Sequence, residues 1–155
     1  MNTTSTSHSS STSTSDLTFE INKQTAIAAP VEVVWETMLE TITTGFDGPG
    51  DDKLKLRLEP WPGGRYYRDL GEGKGHLWAH VQVIKPPTLL EMCGPMFMSL
   101  PVVNHVQYRI KADGDVANLT LVHKGFGVVP PDHMAGMDEG WQMFIDQIRK
   151  AIESR

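Results

Sequence analysis

Hydrophobic and polar residues alternate through "DLTFEINKQTAI" (Asp16 to Ile27), with Phe19, Ile21 and Ile27 on one face. A period of two is that of a half-buried strand. The period then changes. In "AAPVEVVWETMLETI", Val31, Val34, Trp35, Met38 and Ile42 recur at three- and four-residue steps, which gathers them on one face of a helix. Pro30 suits the first turn of that helix, where its missing N–H would be unpaired anyway, and Gly45 suits its end. "TGFDGPGDDK" is turn material, and alternation resumes in "KLKLRLE" with Leu54, Leu56 and Leu58 in phase. "WPGG" turns the chain, "RYYRDL" is the next strand, and "GEGKG" is a hairpin loop.

"HLWAHVQVI" reads as a strand with Leu77, Ala79, Val81 and Val83 inward and His76, Trp78, His80 and Gln82 outward. "KPP" ends it, because proline removes ladder donors. "TLLEM", "VNHVQYRI" and "VANLTLVHKGF" follow as strands, the last two joined by "KADGD"; "CGPMFMSLP" is a loop, broken by Gly94, Pro95 and Pro101. Finally, "PPDHMAGMDEGWQMFIDQIRKAIESR" returns to helical period, with Met137, Trp141, Phe144, Ile148 and Ile152 in one stripe.

The order is strand, helix, six or so strands on short turns, then a long helix. Strands that are not separated by helices predict a mostly antiparallel sheet in an α+β fold. Its apolar face needs a cover, and the final helix is the large amphipathic element available. A curved sheet gripping one helix leaves a concave space of the kind that holds small ligands.

Composition narrows this picture. A chain of 155 residues favours one domain. The opening "MNTTSTSHSSSTSTS" is nearly all serine and threonine with no apolar h-region, so residues 1–16 are expected to be a disordered tail and 17–155 the single domain. A net charge of −5 argues against a nucleic-acid partner, which needs a basic face. One cysteine, Cys93, excludes an internal disulfide and fits a reducing, cytoplasmic setting. No run approaches the ~18 apolar residues of a membrane span, so no membrane partner is expected.

Five stretches carry a resemblance: "IAAPVEVVWETM" at 27–38, "EPWPGGRYY" at 59–67, "HLWAHVQVIKPPTLLEM" at 76–92, "LTLVHKGF" at 119–126 and "EGWQMFIDQI" at 139–148. In this order they resemble the helix-grip superfamily of START domains, polyketide cyclases and Bet v-type allergens (SRPBCC proteins). The chain is most similar there to relatives of the activator of the 90-kDa heat-shock protein ATPase. The resemblance implies a sheet of about six to seven strands wrapped around a long C-terminal helix, with a short helical segment after the first strand. Ala79 stands where members often carry glycine, and "CGPMFMSLPVVNHV" is richer in Met and Pro than the usual connection.

The candidate cavity residues are Tyr66, Tyr67, Val81, Met92, Met96, Met98, Tyr108, Leu121, His123, Trp141 and Phe144. His123 shares phase with Leu119 and Leu121 and is either a ligand anchor or a satisfied core histidine. A strand aims only one of Tyr66 and Tyr67 inward. Met92, Met96, Phe97 and Met98 form either a rim over a hydrophobic ligand or a loop folded onto the core. No metal site is expected: His76 and His80 lie roughly 13 Å apart along a strand, too far for one ion. No phosphate loop, dinucleotide fingerprint or nucleophile elbow occurs, so neither a cofactor nor a catalytic residue is assigned. The expected function is binding of a hydrophobic or amphipathic small molecule. The alternatives are a polyketide-cyclase-like enzyme using His123 and a tyrosine, and a chaperone-linked interaction module using an outer face around Trp78, His80, Gln107 and Arg109. The chaperone partner comes from family analogy alone, and pairing of two chains as a homodimer is compatible with the sequence.

Overall fold

The computed structural model describes residues 14–46 and 54–155. Most of the expected serine/threonine tail lies outside the described residues; its end joins a 3-10 turn, Thr14–Leu17. The elements follow as β1 (Thr18–Ile27), α1 (Val31–Ile42), β2 (Leu56–Leu58), β3 (Arg65–Gly71), β4 (Lys74–Lys85), β5 (Leu89–Gly94), β6 (Val102–Asp113), β7 (Val116–Gly127) and α2 (Pro131–Glu153). The strands form one antiparallel seven-stranded sheet in the order β1-β7-β6-β5-β4-β3-β2. This is the helix-grip arrangement, with α1 after the first strand and α2 lying against the inner face of the sheet.

The helices follow their apolar periods. Val34, Trp35, Met38 and Ile42 of α1 are buried, as are Met137, Trp141, Phe144, Ile145, Ile148 and Ile152 of α2. Pro30 stands just outside α1 as its cap residue, and Pro131 opens α2, where no N–H partner is needed. The core lies between these stripes and the inward positions of β1, β6 and β7, where Ile21, Ile27, Val106, Tyr108, Leu119 and Leu121 are buried.

The alternation assigned to β4 holds only in part. Tyr66 pairs with Ala79 and Tyr67 with Leu77, so Trp78 is an extra residue on β4, a β-bulge. The bulge reverses the phase. Trp78, expected outward, is only 4% exposed in the core, whereas Leu77, expected inward, is 39% exposed. His76 moves with Trp78 to the inner side and lines the space under α2. A second irregularity between Val81 and Val83 leaves Gln82 unmatched. Val83, expected inward, then pairs with Glu91, and Ile84 takes the inner position opposite the buried Leu90. Gly94 makes the first bulge feasible. A Cβ there would sit 2.5 Å from the Trp78 carbonyl and 2.7 Å from the Ala79 Cα. The Trp78 carbonyl accepts the Met96 N–H at 2.6 Å, tying the β5–β6 loop to the bulge.

The "EPWPGGRYYRD" stretch is a frame for this region. Gly63 donates to the Val81 carbonyl and Val81 to the Gly64 carbonyl, both at 2.8 Å, so the turn continues the β3–β4 ladder. Glu59 closes the turn, accepting from the Arg65 backbone N–H and Nε at 2.8 Å and from Nη2 at 2.9 Å. These bonds hold the Glu59 carboxyl down at about 2. A Cβ on Gly64 would collide with the Glu59 carbonyl.

Candidate functional site

Helix α2 packs against α1 and β1. Because β1 is one edge of the sheet, the helix leans toward that edge and stands away from β2–β4 at the other. The gap is an open cleft of about 1410 Å³. Its sheet wall follows from alternation: Tyr66 points inward on β3, so Arg68 and Leu70 do too, and the β4 bulge adds His76 and Trp78. Its helix wall runs from His133 through Met137, Trp141 and Phe144 to Gln147, Lys150 and Ser154. Phe46, at the end of α1, and Phe97, in the β5–β6 loop, lie at its flanks.

The floor is aromatic. Trp78 meets Phe46, Tyr66 and Phe97 edge to face at centroid distances of 5.7, 5.6 and 5.8 Å. Trp141 meets Phe144 at 5.5 Å, and Phe97 stacks on His133 at 6.1 Å. These contacts fix the rings in the geometries that aromatic pairs prefer. Gly136 and Gly140 lie on the helix wall, and a Cβ at either would meet nothing within 4 Å. Glycine inside a helix costs about 0.5–1 kcal/mol relative to alanine, yet here two of them leave the cleft wider.

Two polar groups on the inner side behave differently. His123 is fully buried and both its nitrogens are engaged. Trp141 Nε1 donates to His123 Nδ1 at 2.9 Å, which makes Nδ1 an acceptor and leaves the proton on Nε2, facing Asn104 Oδ1 at 2.7 Å. Asn104 Nδ2 in turn donates to the Gly94 and Pro95 carbonyls at 3.2 and 3.1 Å. Burial lowers the imidazole to about 4, so it is neutral at physiological pH. With both nitrogens taken by Asn104 and Trp141, His123 serves as the hub tying β7, β6 and α2. By contrast, Trp78 Nε1 is buried and has no hydrogen-bond partner among the described residues.

The candidates from sequence separate accordingly. Trp141 and Phe144 line the cleft. Tyr66 is the inward member of the tyrosine pair, buried beneath the floor and donating its hydroxyl to the Ile42 carbonyl at 2.6 Å. Tyr67 takes the opposite face, with the Arg65 guanidinium 4.5 Å above its ring. Tyr108 is buried behind Trp141 and Phe144. Burial raises both Tyr66 and Tyr108 well above the usual phenol range. Val81, Met92, Met96, Met98 and Leu121 are buried in the core and do not reach the lining. The methionine loop thus folds onto the core and presents Phe97 to the cleft. Arg68, His76, Trp78, His133 and Met137 are lining residues that stood outside the candidate set, whereas Phe97 belonged to the rim that the sequence offered. Arg68 was within reach, since it stands two residues from Tyr66. His76 and Trp78 were hidden by the bulge. No described His, Cys, Asp and Glu side chains cluster closely enough to hold a metal ion.

The family described as "Activator of Hsp90 ATPase homolog 1-like protein" matches residues 28–153. The chain belongs to this family. Its fold recurs in a protein of Rhizobium leguminosarum, with a TM-score of 0.66 at 16% identity over 89% of this chain and 96% of that one. It recurs in the crystal structure of Ara h 8.0201, with a TM-score of 0.63 at 10% identity over 89% of this chain and 99% of that one. DynU16, a protein of the dynemicin biosynthetic locus, matches with a TM-score of 0.61 at 19% identity; 86% of this chain covers 47% of that one. These likenesses are of fold. No curated protein sequence matches the chain. No described helix is long and apolar enough to cross a membrane.

Proposed function

We propose that this family member binds a hydrophobic or amphipathic small molecule in the cleft between α2 and the β2–β4 edge of the sheet. The observation that carries this reading is an open cleft of about 1410 Å³ whose lining includes the aromatic rings of Phe46, Trp78, Phe97, Trp141 and Phe144. Clefts of this order enclose drug-sized ligands, and apolar lining with a few polar groups is their usual make-up. Arg68, His76, His133 and Gln147 supply the few polar groups of the lining. Burial of the ligand's apolar surface would supply most of the affinity, at roughly 25 cal/mol per Å² before the costs of association. Membership of a fold shared with Ara h 8.0201 and DynU16 is consistent with this and identifies no ligand.

The locked state of His123 disfavours acid–base chemistry at that residue, because a general base needs a lone pair free to take the proton. The test is a thermal-shift panel of lipids and aromatic compounds, with native mass spectrometry of the purified protein, on the wild type and Gly140→Phe. Residue 140 has open space around it, so the added ring fits and fills the cleft. Binding by the wild type that Gly140→Phe abolishes is the expected result. Absence of any wild-type ligand, or binding untouched by the filled cleft, would overturn the reading.

A further inference from the structure

The cleft carries a charge asymmetry that narrows its ligand class. Arg68 and Lys150 both line it, from the sheet wall and the helix wall. No described carboxylate forms an ion pair with either. The acidic residue of the lining, Asp146, is already engaged by Arg149 at 3.5 Å and by Gln142 Nε2 at 3.3 Å. Arg68 is moreover on the inner face of the sheet, two residues from the fully buried Tyr66 and opposite His76 in register. A guanidinium at a half-buried inner position is costly to desolvate unless an anion joins it. Its planar fork matches an oxyanion with two parallel hydrogen bonds, a match that an ammonium cannot reproduce.

We propose that the ligand is an anionic amphiphile, an apolar or aromatic body with a carboxylate, sulfate or phosphate head, and that Arg68 receives the head with Lys150 adding to the attraction. This rests on the cleft being the binding site, as proposed above. The apolar body lies on the floor formed by Trp78, Phe97, Trp141 and Phe144.

Three ten-carbon probes of matched length, decanoate, decanol and decylamine, test it by titration calorimetry below their micelle concentrations. Decyl sulfate as a fourth separates a carboxylate preference from a general oxyanion preference. Decanoate or decyl sulfate should bind roughly tenfold or more tighter than decanol, as one charge-assisted hydrogen-bonded pair provides, and decylamine weakest. Arg68→Met should remove the preference while leaving decanol binding in place, and Arg68→Lys should restore part of it. Lys150→Met, at an exposed helix position, should reduce the preference by a smaller factor, and added salt should shrink it in the wild type. Equal affinities for decanoate and decanol, or tighter binding of decylamine, would overturn the charge assignment and leave the cleft reading intact. Failure of every probe to bind would overturn both. Because the comparison among probes is made on the wild type, it stands even if an Arg68 variant does not fold.

Discussion

The two sides of the grip treat polar groups in opposite ways. On the β6–β7 side, His123 spends both nitrogens on Trp141 and Asn104, and Asn104 Nδ2 donates to the Gly94 and Pro95 carbonyls. On the β3–β4 side, Trp78 keeps a buried N–H without a partner and Arg68 stands on the inner face without an ion pair among the described residues. A buried polar group that the protein satisfies itself is part of the frame, since leaving it unsatisfied costs the full desolvation of that group. One that the protein leaves open is where a ligand can gain. The residue type alone does not separate the cases: a histidine looks more functional than a tryptophan, and here the tryptophan is the one whose polar atom has no hydrogen-bond partner among the described residues.

The sharpest way to break this contrast is His123→Ala. It strands the Trp141 N–H and the Asn104 amide in the core and opens a cavity. The expected loss is about 4 kcal/mol in urea unfolding, combining unmet hydrogen bonds with cavity cost. A loss under about 1 kcal/mol would mean the cluster is not a structural hub.

Acid should attack the same hub. An unfolded chain protonates residue 123 near 6.5, whereas the buried ring resists until about 4. The contribution is therefore complete above about pH 6.5 and is lost as pH falls toward about 4, by the order of 3 kcal/mol in total. Stability measured by urea titration across that window should slope downward in the wild type and less steeply in His123→Gln. Parallel slopes would show that His123 is not the group responsible.

Trp78→Phe probes the open side. It removes a buried indole N–H that has no partner among the described residues, so part of the cost of the smaller ring is returned. The expected destabilisation is about 1 kcal/mol, well below that of His123→Ala. Its effect should instead appear in the affinity of whatever the cleft binds, measured by the same calorimetry.

Element order and both helices were legible in the chain because burial stripes at periods of two and 3.6 are set by local geometry, as at Val34, Trp35 and Met38 or Trp141, Phe144 and Ile148. The site was legible only where it stands on such a stripe, at Trp141 and Phe144. The β4 part of the sheet wall was not, because one extra residue at Trp78 inverts every assignment on its N-terminal side. What permits the bulge is Gly94, sixteen residues away in the chain and adjacent only across the β4–β5 pairing. His123 was correctly placed inward, yet its role depended on Asn104 and Trp141, on two other elements. Alternation identifies a face; it does not say which partners meet there.

The smallest expected effect tests whether the cleft is kept open at some cost to the fold. Gly136 and Gly140 interrupt the wall of α2 where a side chain would meet empty space. Neither has a backbone conformation that requires glycine. Gly140→Ala should therefore stabilise the protein by about 0.5–1 kcal/mol, the helix-propensity gain of alanine over glycine at an unstrained site. A methyl group takes little of the space that a phenyl ring would fill, so ligand binding should weaken by less than in Gly140→Phe. Thermal unfolding checks the first expectation and calorimetry the second. Were Gly140→Ala destabilising instead, the helix wall would be in closer contact with the sheet than an open cleft allows, and the contrast between the two sides of the grip would lose its physical basis.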